Sequence, residues 1–212
     1  MTLTVQPRLL TLEGGEGAGK STVLAAISAA LRAHGDEVVC TREPGGTPLA
    51  EEIRGLLLAT RDEPLHAQTE LLLMFASRVQ HVRETVQPAL ARGAWVVSDR
   101  FTDASHAYQG GGRGIDPTLI ERLERDVVGV QAGLTLLLDV PVDVGLARAR
   151  GRGAVDRIES ERNDFFDRVR AAYRDRAAAD PRRVRLLDAT QPADVVAREA
   201  VAWVDAYRAG LR

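Results

Sequence analysis

Residues 9–22 read LLTLEGGEGAGKST, and the fold turns on this stretch. Leu9–Leu12 is a short apolar run of strand length. Gly14-x-x-x-x-Gly19-Lys20-Ser21 matches the phosphate-binding pattern G-x-x-x-x-G-K-[ST], and Thr22–Arg32 continues as an alanine-rich helical stretch. A glycine pattern of this kind recurs by chance, but a strand before it and a helix after it make it specific. The backbone of Gly14, Gly15, Glu16, Gly17, Ala18 and Gly19 is expected to wrap a phosphate, with Lys20, Ser21 and Thr22 closing the turn. The helix N-terminus adds partial positive charge toward the same anion. Ser21 is the expected ligand of a Mg²⁺ ion carried by a nucleotide. Lys20 is the only lysine among the 28 Lys+Arg residues. A compact ammonium on a flexible stem reaches phosphate oxygens inside a tight turn, where a wide, planar guanidinium does not fit.

The rest of the chain bounds what surrounds this motif. Its 212 residues, 45% of them hydrophobic, suffice for one sizeable core, and we read 1–212 as a single domain. A formal net charge of −2 gives no electrostatic case for nucleic acid or an anionic membrane. Cys40 is the one cysteine, which excludes an internal disulfide and fits a reducing compartment. The first residues lack a basic, then apolar, leader pattern and no apolar run is of membrane-spanning length, so a cytoplasmic protein is expected.

Five short apolar runs, Leu9–Leu12, Glu37–Thr41, Trp95–Ser98, Leu134–Asp139 and Val184–Asp188, show little polar alternation, as strands covered on both faces do. Helical stretches over about 20–34, 49–60, 67–92, 116–128, 142–150, 163–180 and 192–210 separate them. The expected fold is α/β: a five-stranded parallel sheet flanked by helices, of the P-loop type. Pro88 should kink or end the third helix. Segments 42–48, 110–116 and 151–162 are too rich in glycine or charge for core and are expected to be loops.

A second chemical element is Val96-Val97-Ser98-Asp99-Arg100, a strand ending in an acid. Asp99 is placed to hold the water shell of Mg²⁺ beside the first strand, and Arg100 to face anionic substrate oxygens. A guanine-reading Asn-Lys-x-Asp is excluded, because the only lysine is taken and Asn163 is the sole asparagine. Arginines instead occupy separate loops: Arg42, Arg100, and the group Arg148, Arg150, Arg152, Arg157 and Arg162. Phosphoryl transfer between two nucleotides needs two sets of phosphates neutralised in line, and bidentate arginines on a mobile lid suit that task. The 148–162 group reads equally as a solvated helix face, since Asp156, Glu159 and Glu161 interleave it.

Taken together, Thr41-Arg42-Glu43-Pro44-Gly45-Gly46-Thr47, Phe75-Ala76-Ser77-Arg78-x-Gln80-His81, Ser98-Asp99-Arg100-Phe101, Ala107-Tyr108-Gln109-Gly110, Asp156-Arg157-Ile158-Glu159 and Asp188-Ala189-Thr190-Gln191-Pro192 resemble the thymidylate kinase family. The matching segments fall in family order over almost the whole chain. The resemblance implies ATP-dependent conversion of dTMP to dTDP with Mg²⁺, and a homodimer through the long 67–92 helix. It implies that Arg42 and Arg100 grip the dTMP phosphate, with Glu13 near the sugar 3′-hydroxyl or the metal. Arg78 would hydrogen-bond a thymine carbonyl, Ser105 and Gln109 line the base pocket, and Tyr108 and Tyr173 pack nearby. Arg148 and the loop of Ala189, Thr190 and Gln191 would meet the adenine end of ATP.

Two departures from the family pattern matter. Relatives place a stacking phenylalanine four residues before the equivalent of Arg78; here that position is Met74, and Phe75 follows it. Either side chain can cover a thymine ring, methionine through its polarizable sulfur. The glycine loop also carries no arginine, which resembles the bacterial type with its catalytic arginines in the lid. Arg152 and Arg157 are then the expected catalytic pair, and 148–162 the lid. Two other readings share these motifs: a nucleoside or nucleotide kinase with a different acceptor, and a P-loop ATPase switch with none.

Overall fold

The computed structural model describes residues 3–150 and 157–211. Strand β1 (Thr4–Glu13) is longer than its apolar run, and only its second half is buried on both sides. Pro7 has no N–H for the ladder, and the pairing slips between Gln6 and Leu10. From Glu13 the chain passes through the glycine loop into α1 (Lys20–Ala33), then β2 (Val38–Arg42) and α2 (Pro48–Leu58). Thr47 caps α2, its hydroxyl accepting from the Ala50 N–H at 3.2 Å, and Pro48 sits at the first helical position.

Helix α3 (Ala67–His81) continues through a π-helical segment, Val82–Val86, into α4 (Gln87–Ala91). The break expected at Pro88 is thus a widened turn just before it, which accommodates the missing N–H without ending the helix. Strand β3 (Trp95–Asp99) leads into α5 (Thr102–Ser105) and a π-helical run, His106–Gly112. This corrects the expectation of a loop from 110 onward. The glycines are there for close approach: a Cβ on Gly111 would lie 2.6 Å from Ala172 Cβ, and one on Gly112 2.5 Å from the Phe165 ring. After α6 (Pro117–Leu123) and β4 (Val130–Asp139) come α7 (Val142–Arg150), α8 (Asn163–Ala179), β5 (Val184–Asp188) and α9 (Ala193–Ala209).

All strand pairs are parallel, in the order β2-β3-β1-β4-β5. Side chains alternate across the sheet. Leu10 and Leu12 point to a core shared with Ile27 and Leu31 of α1 and Val204 of α9. Leu9 and Val96 point the other way, onto Phe75 of α3 and Val82. Helix α8 adds a third cluster, in which Phe165, Val169 and Tyr173 meet Tyr108 and Leu137. The chain leaves β1 in one direction and β3 in the other, which opens a crevice at their carboxyl ends. Glu13 and Asp99 end those two strands, so the topology delivers the glycine loop and the predicted metal acid to one place.

Candidate active site

The glycine loop is shaped by contacts that exclude side chains. Gly17 has φ 68°, and a Cβ there would lie 1.9 Å from the Gly145 carbonyl oxygen; at Gly14, φ 135°, it would meet the Leu138 carbonyl at 2.4 Å. Helix α1 starts on Gly19 with no side-chain cap, so its first N–H groups face the loop's interior as an anion site. Lys20 is 8% exposed, and its Nζ donates to the carbonyls of Gly14 (3.2 Å) and Gly15 (3.0 Å). Burial, and then the nearby Arg100 cation, hold its pKa below the ordinary lysine value.

Lys20, Ser21, Arg42, Asp99 and Arg100 line one groove of about 250 Å³. The Oδ1 atom of Asp99 is buried and has no hydrogen-bond partner among the described residues. Those residues contain no cluster of three or more His, Cys, Asp or Glu side chains able to hold a metal ion. The unpartnered Asp99 oxygen, in the groove that Ser21 also lines, fits Mg²⁺, which takes one or two protein oxygens and fills its remaining positions with water and phosphate.

Arg100 stands at the centre of the groove with φ 72°, the one non-glycine residue at positive φ among those described. Such a backbone costs about 1–3 kcal/mol and persists only when held from several sides. It is so held: the Arg100 N–H donates to Leu12 O (2.9 Å), Ser98 Oγ donates to Arg100 O (2.7 Å), and the Phe101 N–H donates to Glu13 Oε1 (2.7 Å). The guanidinium bonds Gly14 O (3.0 Å), Tyr173 Oη (3.2 Å) and Glu16 Oε1 (2.6 Å). Tyr108 Oη donates to the same Glu16 oxygen at 2.9 Å.

Two carboxylates near Arg100 divide differently from expectation. Glu13 is fully buried, and its second oxygen accepts from Tyr173 Oη at 2.7 Å. Both its oxygens are therefore engaged within the protein, and it braces strand ends rather than facing the cleft. Burial, reinforced by the Asp103 carboxylate, pushes its pKa up to about 8. Glu16, one turn of loop later, faces the cleft instead. Arg42 meets Glu51 through both carboxylate oxygens at 2.9 Å. Arg54, missed from the sequence, lines the groove and donates to Pro44 O at 2.9 Å. Its signal was only a lone arginine inside an amphipathic helix.

The groove continues into a cavity of about 150 Å³, sharing Glu16, Glu43, Arg54, Arg100 and Glu159 with it. Met74, Ala104, Tyr108 and Gln109 form its apolar-to-amide wall. Phe75 is not on that wall: it lies in the core with Leu9 and Val96, under the Arg78 guanidinium at 4.8 Å. The alternation of faces along α3 leaves room for one of the two, and Met74 has the cleft side. Arg78 also sits behind the wall, 1% exposed. Its donors reach Glu43 Oε2 (2.6 Å), Ser105 Oγ (2.9 Å) and Phe101 O (2.9 Å). Arg78 and Ser105 thus hold the α3, 43–46 and α5 segments together around the cavity.

On the far side of the loop, Gly17, Thr22, Arg148, Ala189, Thr190 and Gln191 line a cavity of about 440 Å³. Arg148 donates to Ala189 O at 2.8 Å, so the expected adenine-side residues do come together. Arg152 lies outside the described residues. Arg157 is described, and its side-chain partners lie on α2 and α3. It donates to Glu70 Oε2 (2.7 Å) and to Leu57 O (2.8 Å), pinning the end of the expected lid to α2 and α3.

Known proteins carry the same architecture. The thymidylate kinase family model matches residues 12–200. A thymidylate kinase of Pseudomonas savastanoi pv. phaseolicola is 59% identical over 190 residues, covering 89% of this chain and 90% of that one. One from Alcanivorax borkumensis is 52% identical over 203 residues, 95% and 98% of the two chains. The crystal structure of thymidylate kinase from Ehrlichia chaffeensis superposes with a TM-score of 0.77 at 30% identity, over 95% of this chain and 99% of that one. The strand-loop-helix cradle and its acid-tipped neighbouring strand thus meet near full-length similarity, and the chain belongs to the thymidylate kinase family.

Proposed function

We propose that this cleft transfers the γ-phosphoryl group of ATP to the 5′-phosphate of dTMP, giving ADP and dTDP. The observation that carries this reading is the continuous groove from Lys20 to the Met74–Gln109 cavity, with Arg100 at its waist. ATP lies with its adenine in the cavity of Arg148 and Gln191 and its phosphates in the glycine loop. The dTMP base enters the smaller cavity, which leaves its phosphate at Arg100, Arg42 and Arg54. An anionic oxygen of that phosphate attacks the γ-phosphorus as the bond to the β–γ bridging oxygen breaks. No general base is needed, because the attacking oxygen carries no proton.

Catalysis then rests on position and charge. Lys20 and the loop N–H groups neutralise the donor, Arg100 neutralises the acceptor, and both side chains are largely buried at one groove. Ser21 and Asp99 would hold Mg²⁺, which supplies further neutralisation of the β- and γ-phosphates. Arg152, in the 148–162 segment of the sequence, is assigned to the transferring group. Met74 covers the thymine ring in place of a phenylalanine, and the buried Gln109 Oε1, which has no partner among the described residues, accepts from the base.

The same reading includes a homodimer and a cytoplasmic location. No helix among the described residues is long and apolar enough to cross a membrane. Sedimentation equilibrium tests the dimer. The activity is tested by coupled ADP release with ATP and Mg²⁺ against dTMP, dUMP, dCMP and thymidine. Preference for dTMP is expected; ADP release that needs no acceptor would refute the transferase reading.

A further inference from the structure

Gln109 lines the base cavity, and its amide has two ends with opposite hydrogen-bonding character. Which end faces the base is decided outside the cavity. Gln109 Nε2 donates to Glu70 Oε1 at 2.9 Å, and Glu70 is buried on α3. An ionised carboxylate only accepts, so it can bond only the NH₂ end of Gln109. The Oε1 end is thereby turned away from Glu70; it is buried and without a partner among the described residues, in a side chain that lines the cavity.

Glu70 keeps that role because cations hold it ionised. Arg113 approaches its Oε2 at 3.1 Å, and Arg157 donates to the same oxygen at 2.7 Å. Arg113 also donates to Glu161 Oε1 at 2.6 Å, so two acids and two arginines balance in formal charge. Burial acts to raise the Glu70 pKa, but bonds from Gln109 and the Arg113 charge prevail and hold it below the ordinary value. Two of the four members, Arg157 and Glu161, belong to the end of the lid segment.

We infer that Glu70 is a positioning residue for base choice: it locks Gln109 with its oxygen toward the acceptor nucleotide. An outward-facing oxygen accepts from the imide N3–H of thymine or uracil. Cytosine offers a lone pair at N3, so the two acceptors repel. Released from Glu70, the amide can turn and offer its NH₂ to cytosine instead.

The inference rests on the dTMP kinase reading, and the test separates the two. We would measure kcat/KM for dTMP and for dCMP in the wild type, Glu70→Gln and Glu70→Asp, with thermal melting as a check of folding. A glutamine at 70 can donate as well as accept, so Gln109 loses its fixed direction. The dTMP-over-dCMP ratio is expected to fall at least about tenfold. General loosening would lower both values together and leave the ratio standing. A folded Glu70→Gln enzyme whose ratio stays within twofold of wild type overturns the inference. Should Glu70→Gln not fold, Glu70→Asp keeps the charge while withdrawing it from Gln109 by one methylene. Its ratio is expected to drop about threefold, and an unmoved ratio again overturns the inference. A wild type that does not use dTMP defeats both readings; an unmoved ratio in an active enzyme defeats only this one.

Discussion

The two halves of the cleft are built in different ways. The phosphate half is almost one continuous piece of chain, Glu13 to Thr22, completed by the tip of a neighbouring strand. Its chemistry comes from main-chain N–H groups, one lysine and one acid with a buried oxygen. The base-and-lid half is assembled from side chains on α3, the 102–112 helical run and the end of the lid, none of them close in sequence. Contiguous backbone chemistry is written in the motif itself, whereas a side-chain network depends on which face each helix buries.

Breaking the phosphate half should have the largest effect. Lys20→Ala removes the only ammonium in the groove and should lower kcat about 10²–10³-fold, the usual loss when one preorganised charge on the reacting group is deleted. KM for dTMP should stay near wild type, because Lys20 faces the donor. Steady-state kinetics at saturating ATP check both, and turnover within tenfold of wild type would undo the assignment. On the base half a smaller, binding-type effect is expected. Met74→Ala should raise KM for dTMP about tenfold, while Phe75→Leu should cost about 1–2 kcal/mol of stability and leave KM within about twofold. If the two variants exchange phenotypes, Phe75 rather than Met74 covers the base.

Arg157→Ala sharpens the comparison further. From sequence, Arg157 is one of two lid arginines expected to act on the transferring phosphoryl; in the structure it clasps Glu70 and the Leu57 carbonyl. A clasp predicts a loss in kcat below about tenfold with a few-fold rise in KM for dTMP. An arginine acting on the transferring group predicts about 10³-fold or more in kcat. Rapid-quench measurement of the chemical step distinguishes them. A loss of the larger size would mean that Arg157 leaves Glu70 during turnover, and the lid half would then belong with the phosphate half.

What could be read from sequence follows the same division. The parallel five-stranded sheet needed only five buried apolar runs alternating with helical stretches, whereas its strand order is seen in the structure alone; the observed strands differ from those runs mainly at β1 and β4, which begin several residues earlier. Glycines 110–112 misled, because sequence shows that a side chain is missing but not that α8 fills its place. Arg78, Arg157 and Glu13 carried family-like positions, yet each is spent on a buried partner. A charged residue's pairing is a tertiary fact: Glu43 lies 35 positions from Arg78, and Glu70 87 positions from Arg157. Arg54 had no motif at all.

The smallest expected effect concerns Glu13, and it is a matter of pH. Its carboxyl is held up to about 8 in the folded protein, chiefly by burial, against 4.5 ordinarily. Between those two values the folded chain keeps a proton that the unfolded chain releases. Folding stability then falls as pH rises through that window, and the full penalty is present above about 8. Glu13→Gln keeps a neutral group of the same shape: its oxygen can accept from the Phe101 N–H and its NH₂ can donate to Tyr173 Oη. The difference in Tm, variant minus wild type, should therefore grow from pH 5 to pH 8.5, while KM for dTMP changes little. A constant difference would mean that Glu13 ionises normally. A large rise in KM would return Glu13 to the sugar site and take the bracing of Arg100 away from it. That bracing is what links the halves, since Glu13 fixes the Phe101 N–H on one side of Arg100 and Tyr173 on the other.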